Sequence, residues 1–243
     1  INPITRLTLL FIFLLTIFNN NEIYLINSLY FVSFDKLIYI NTISIFFTIL
    51  CILLFTNAMN MVDGINCVAI GTFLIYLIYI FLITSPENKL VIILTILSLA
   101  IIMILNYKNK IFLGDSGVYF LSIFISLTII SEYNSTTEGI IGVEKIFILF
   151  MFPGLDMFRL FCQRIINKKN PFSPDRNHLH HLLEKKFGLN LAIIIYLLTI
   201  VCCFISIIIF EKNFHLIIFF FIIYYFFLLI FLKKKNFNYL NNK

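Results

Sequence analysis

Eight runs of mainly apolar residues, divided by short polar breaks, constrain this chain more than any other feature. They lie near Ile4–Phe18, Leu37–Met59, Gly64–Ile83, Lys89–Tyr107, Gly117–Tyr133, Lys145–Arg164, Leu189–Phe210 and Phe214–Leu232. A hydrocarbon layer about 30 Å thick takes roughly 20 helical residues to cross. Most of the runs reach that length, and a helix closes its own backbone hydrogen bonds as lipid requires. Composition agrees: 61% of the residues are apolar and 12% charged, with a mean hydropathy of +1.01, whereas a soluble domain carries about 25% charged residues. The expected fold class is all-α, a polytopic transmembrane helix bundle of about eight helices. The five cysteines, Cys51, Cys67, Cys162, Cys202 and Cys203, show no C-x-x-C spacing and read as small buried hydrophobes, with neither a metal nor a disulfide.

Charge sets the orientation. With residue 1 on the cytoplasmic side, loops alternate from there, and of the 18 Lys and Arg only Lys36, Lys89, Lys145 and Lys212 fall on the far side. Positive residues concentrate in cytoplasmic loops, which accounts for the net charge of +6 without a nucleic-acid partner. Asp63, Asp115, Asp156, Asp175 and Glu184 share the cytoplasmic side, three of them at or within helix ends. A carboxylate there is costly unless something pairs with it, so the cluster marks a candidate site.

Three polar constellations face that compartment. The first is Asn57–Asn66, a break between two runs, in which Gly64 permits a tight turn and Asn60 and Asp63 share a helix face at a spacing of three. A turn that merely caps two helices would look the same. The second, Phe112-Leu113-Gly114-Asp115-Ser116-Gly117, opens the next helix. Flanking glycines let a ligand approach Asp115, and a helix N-terminus favours phosphate, although an ordinary N-cap has the same residues. The third is a basic cytoplasmic loop over 165–188, including Pro171-Phe172-Ser173-Pro174-Asp175-Arg176-Asn177-His178-Leu179-His180-His181. On a helix His178 and His181 can share a face, whereas His180 and His181 cannot. Zinc is the obvious ligand for clustered histidines, but no cysteine is near and Lys168, Lys169 and Arg176 repel a cation; phosphate recognition fits better. Pro153 is expected to kink the sixth run, Asp156 and Arg159 to form an i,i+3 pair, and Lys233-Lys234-Lys235 to anchor the last helix at lipid headgroups.

In their order and shared face, Asn57–Gly64, Phe112–Gly117 and Pro171–His181 resemble the polyprenyl-phosphate N-acetylhexosamine-1-phosphate transferase family (glycosyltransferase family 4). The resemblance runs over essentially the whole chain. It implies transfer of N-acetylhexosamine-1-phosphate from a UDP-sugar to undecaprenyl phosphate, releasing UMP and starting a cell-envelope glycan such as an O-antigen. It also implies a bacterial inner membrane location with the active face cytoplasmic. The Asp175-Arg176-x-His178-x-His180-His181 form is similar to the branch outside peptidoglycan synthesis, which favours UDP-GlcNAc or a modified relative as donor. Implied roles are Mg²⁺ ligation by Asp115 with Asn60, catalytic functions for Asp63, Asp115 and His178, and substrate binding by Asn57, Asn60, Arg176, His180 and His181. Partners are then the UDP-N-acetylhexosamine, undecaprenyl phosphate and membrane lipid, and a homodimer stays open as an assembly.

Two departures stand out. Asn66 and Cys67 replace an aspartate and a glycine of the family's D-G-x-D-G pattern, and Ser122 replaces a glycine often found after the second motif. Family members also carry adjacent aspartates after the third helix, and no two acidic residues are adjacent here. The opening Ile1–Leu7 is similar to the stretch that follows that pair. Residues 1–243 are therefore expected to be one integral-membrane transferase domain lacking about three N-terminal helices, and to be inactive alone. Rival readings are the peptidoglycan-precursor phospho-MurNAc-pentapeptide transferase and a transporter. The latter predicts acidic residues mid-span, and here only Asp156 is so placed.

Overall fold

The computed structural model describes residues 3–18, 21–135, 141–171 and 175–233. Ile1, Asn2, Phe172–Pro174 and the expected anchor residues Lys234 and Lys235 lie outside them. Among the described residues are nine α-helices: α1 (Pro3–Phe18), α2 (Ser44–Val62), α3 (Val68–Ile83), α4 (Lys89–Tyr107), α5 (Gly114–Ser135), α6 (Val143–Ile166), α7 (Leu179–Phe187), α8 (Leu189–Ile209) and α9 (Phe214–Lys233). The eight apolar runs account for all but α7. Six segments are long and apolar enough to cross a membrane: Asn41–Val62, Pro86–Tyr107, Gly114–Ser135, Val143–Ile166, Leu189–Ile209 and Phe214–Lys233. The protein is a multi-pass membrane bundle.

α1 and α3 fall short of that length, with 16 residues each. At 1.5 Å per residue α3 reaches roughly 24 Å, because Gly64–Cys67 belong to a turn rather than to the helix. It is instead the interior helix, packed against α4, α5 and α8 and buried along most of its length, from Val68 through Phe73 and again at Tyr76, Leu77, Tyr79 and Ile80. Gly71 sets its distance from α8, since a methyl group there would stand 2.7 Å from Leu197. α4 shows the opposite pattern. Only Ile92, Leu99 and Asn106, seven residues apart, are buried, and Leu90, Leu94, Leu97, Ile101 and Ile104 face outward. One narrow seam against protein and a broad apolar face suit the lipid rim of a bundle. α6 runs unbroken through the buried Pro153.

The far end carries an element absent from the all-α expectation. Residues Leu37–Tyr39, which begin the second apolar run, form an antiparallel hairpin with β1 (Ser28–Phe31) as strand β2 (Lys36–Tyr39), in the register Ser28↔Tyr39 to Phe31↔Lys36. Its turn is held by the Glu144 carboxylate of α6, which accepts the Val32 and Ser33 N–H groups at 2.9 and 3.0 Å. The Tyr133 hydroxyl of α5 accepts the Tyr30 N–H at 2.8 Å and donates to the Ser28 carbonyl at 2.9 Å.

Candidate active site

The opposite end gathers the three polar constellations. α2 ends at Val62, and the Asp63 N–H still donates to the Met59 carbonyl at 3.2 Å. The following turn closes at Cys67, whose φ of +65° is the left-handed conformation that favours glycine. A glycine would adopt this backbone form without the strain that the Cys67 side chain brings. Buried Asn106 at the end of α4 fixes the turn: its Oδ1 accepts the Cys67 N–H at 2.7 Å and its Nδ2 donates to the Ile111 carbonyl at 2.8 Å. That bond ties the turn to the loop leading into α5.

Gly114, with φ +65°, opens α5 and places Asp115 in its first turn. Asp115 Oδ1 accepts Nδ2 of Asn60 at 2.8 Å, and Oδ2 pairs with Arg6 of α1, which also reaches Tyr119. Asp63 lies close enough to Asp115 for their charges to interact and accepts the Gly114 N–H. Loss of solvent raises the Asp63 pKa above the usual carboxylate value, Asp115 raises it further, and the Gly114 N–H opposes both. Asn60, Asp63 and Asp115 thus form one oxygen-rich cluster at a helix N-terminus.

The histidines sit against this cluster. α7 packs against α8 and α9 with His178 at its N-cap position. A methyl group on Gly64 would overlap His180 Nε2 and stand 2.9 Å from His181 Nε2, so both rings reach the turn beside Asp63. This corrects the expectation that His180 and His181 diverge: in the first turn of α7 both rings extend toward Gly64. The His180 and His181 ring centres are 4.3 Å apart, and the His178 and His180 rings stack 5.5 Å apart within 9° of parallel. His180 is 1% exposed and its Nε2 has no hydrogen-bond partner among the described residues. Burial, then the neighbouring His181 and His178, push its pKa down to about 3, so it is neutral at pH 7. Burial lowers the pKa of His181 as well, against the carboxylate of Glu184.

Other expected residues are placed less centrally. Arg176 is exposed at the rim, near enough for its charge to act on His181. Asp175 folds the loop, accepting the Asn177 N–H at 2.8 Å and pairing with Arg164 of α6 at 2.9 Å. Asn57 is not brought to Asp115; its amide turns to the Met157 sulfur of α6 at 3.2 Å. Sequence reasoning overlooked Arg6, Asn106 and Tyr225. It also gave Asp156 and Arg159 only a local role. The pair forms, at 2.8 Å, but Asp156 also accepts the Tyr225 hydroxyl at 2.8 Å and stands 3.0 Å from His178 Nδ1. The available signal was a lone carboxylate inside an apolar run.

Asp115, Asp63 and the Asn60 amide offer hard oxygen donors of the kind Mg²⁺ takes, and Mg²⁺ needs few protein ligands because it retains water and substrate oxygens. Among the described residues no three His, Cys, Asp or Glu side chains converge to hold a metal by themselves.

The sequence model of glycosyl transferase family 4 matches residues 1–132, over half of the chain. The chain belongs to glycosyl transferase family 4. The matched stretch contains the Asn60–Asp63–Asp115 cluster, and the histidines lie beyond it. Among similar family members is a probable undecaprenyl-phosphate N-acetylglucosaminyl 1-phosphate transferase of Bacillus subtilis, 33% identical over 62% of this chain and 44% of that protein. Undecaprenyl-phosphate alpha-N-acetylglucosaminyl 1-phosphate transferases of Thermotoga maritima and Escherichia coli K12 are 31% and 32% identical. Each alignment covers 57% of this chain, and 43% and 40% of those proteins. The chain thus spans less than half the length of the curated relatives it matches. No solved structure matches it.

Proposed function

We propose that this chain is part of a phosphoglycosyl transferase that moves N-acetylhexosamine-1-phosphate, GlcNAc-1-phosphate or a close relative, from a UDP-sugar to undecaprenyl phosphate. One observation carries the reading: Asn60–Gly64, Asp115 and His178–His181, far apart in the sequence, meet at one end of a membrane bundle. That end offers carboxylates for a divalent cation, imidazoles and Arg176 for phosphates, and apolar helix faces for a lipid tail. The family's relatives named above act on undecaprenyl phosphate. The basic loops support a cytoplasmic position for this end, in a bacterial inner membrane.

In the proposed reaction a lipid-phosphate oxygen attacks the sugar-bearing phosphorus in line. A P–O bond forms there as the bond from that phosphorus to UMP breaks, and the electron pair leaves with UMP. Such transfers depend on positioning and on stabilising spread negative charge. Asp115 with Asn60 would hold Mg²⁺, supported by Asp63, and the ion supplies neutralisation of the diphosphate. Asp63 and the Gly114 turn fix the floor of the site. His178, His181 and Arg176 would contact the phosphates, and neutral His180 packs against Gly64.

The test measures UMP release by the complete gene product from labelled UDP-GlcNAc and undecaprenyl phosphate. Asp115→Ala is expected to lower it by at least about 100-fold, and chelation of divalent cations to abolish it. Undiminished release by Asp115→Ala would remove the metal assignment. Preference for UDP-MurNAc-pentapeptide in direct competition would move the chain to the peptidoglycan branch.

A further inference from the structure

Asp156 sits in α6 at 4% exposure, and the transfer chemistry above makes no use of it. A carboxylate so deep in an apolar helix is costly unless its oxygens are satisfied, and both are. Oδ1 accepts Arg159 Nη2 and the Tyr225 hydroxyl, each at 2.8 Å. Oδ2 stands 3.0 Å from His178 Nδ1 and accepts the Leu179 N–H at 3.1 Å. Arg159 donates Nε to the Tyr225 oxygen at 2.9 Å and Nη2 to the Asn177 carbonyl at 2.7 Å. The peptide units on both sides of His178 are therefore held by the same buried ion pair that holds its ring.

The chemistry of that pair fixes a proton. A carboxylate that already accepts from a guanidinium, a hydroxyl and a peptide N–H has only lone pairs to offer, so the hydrogen in the contact with His178 belongs to Nδ1. The other ring nitrogen, Nε2, is then the one that His178 can present to a ligand, as an acceptor when the ring is neutral and as a donor when it is charged. A helix-to-helix tether alone would not need an imidazole at this position, since the Leu179 N–H and Tyr225 already bind α7 and α9 to Asp156.

We propose that Asp156 is a positioning residue for His178: with Arg159 and Tyr225 it holds the ring in the Nδ1–H form, with Nε2 directed to the phosphates. The inference rests on the transferase reading above. Asp156→Asn keeps the size of the side chain but can present its NH₂ to Nδ1 and favour the other tautomer. In the complete gene product it is expected to lower kcat by about 10²- to 10⁴-fold while KM for the UDP-sugar changes less than about threefold. In a His178→Ala background the same substitution is expected to cost less than about threefold, because the ring it serves is gone. Full, additive losses in the two backgrounds would overturn the proposal, as would an Asp156→Asn enzyme with unchanged kcat.

A second measurement covers a variant that fails to fold. In ¹⁵N-histidine-labelled wild type in nanodiscs, with His178→Gln to assign the signal, His178 is expected to carry its proton on Nδ1 at neutral pH. An unprotonated Nδ1 overturns the proposal whatever the kinetics show. Absence of transfer by the wild type would refute the transferase reading instead, and the nitrogen spectrum would still decide where Asp156 places the proton.

Discussion

Gly64 is the contact point of the site's two halves, and it is the missing side chain that matters. A methyl group there meets the ring nitrogens of both His180 and His181, and a packed site absorbs such an intrusion only by moving a ring or α7. Gly64→Ala is therefore expected to cost about 1–3 kcal/mol of stability and at least tenfold in transfer, read by thermal unfolding and UMP release. His180 makes a separate prediction. Its pKa is about 3 in the folded chain against 6.5 unperturbed, so the unfolded chain binds more protons between those values. The stability from burying neutral His180 is fully present above pH 6.5 and is lost as pH falls toward 3. From pH 7 to pH 5 the loss is at most about 2 kcal/mol. His180→Gln should lose less melting temperature than wild type over that interval, and equal losses would locate the sensitivity elsewhere. Asp63 and Asp115 were legible because each is a carboxylate beside a glycine at the end of an apolar run. The wider contacts of Asp156 were not: its i,i+3 partner Arg159 satisfies it locally, whereas Tyr225 lies 69 residues away.

Among the elements, the long helices could be read from hydropathy because lipid leaves a continuous apolar run few alternatives. Two shorter elements escaped that logic. In α7, Leu179, Leu182 and Leu183 stand at i, i+3 and i+4 with Leu179 and Leu183 fully buried, an amphipathic signal hidden inside a basic, histidine-rich loop. The hairpin was hidden because Leu37–Tyr39 merge with the apolar run that follows, and because several of its stabilising partners come from α5, α6 and α9. Glu144 alone accepts two of its backbone N–H groups. Glu144→Ala leaves the Val32 and Ser33 N–H groups without their acceptor, at a cost of about 1–3 kcal/mol. Amide exchange at Val32 and Ser33 should accelerate while the Asn60–Asp115 end keeps its protection. Loss of protection at both ends would show that the hairpin supports the whole bundle.

For the whole molecule, the two ends differ in purpose and in charge. One end is tied by Tyr133, Glu144 and Ser33 to the hairpin; the other joins Arg6, Asn60, Asp63, Asp115 and the histidines. Lys36 and Lys145 lie at the first end and Arg6, Asp63 and Asp115 at the other, as the alternation of loops along the sequence predicts. The Arg6–Asp115 pair is an independent check on it, since it brings the start of α1 to the end where the loops are basic. Membrane sidedness is then a single choice for the entire bundle, and two exposed lysines on opposite ends can report it. In a background with the five native cysteines replaced, Lys185→Cys and Lys36→Cys are expected to react oppositely with a membrane-impermeant maleimide. Lys36→Cys should label in right-side-out vesicles and Lys185→Cys only in inside-out ones. The reverse pattern would put the site outside the cell, where no cytoplasmic UDP-sugar reaches it. Labelling of both from one face would break the bundle's alternation, and with it the meeting of the three motifs at one boundary.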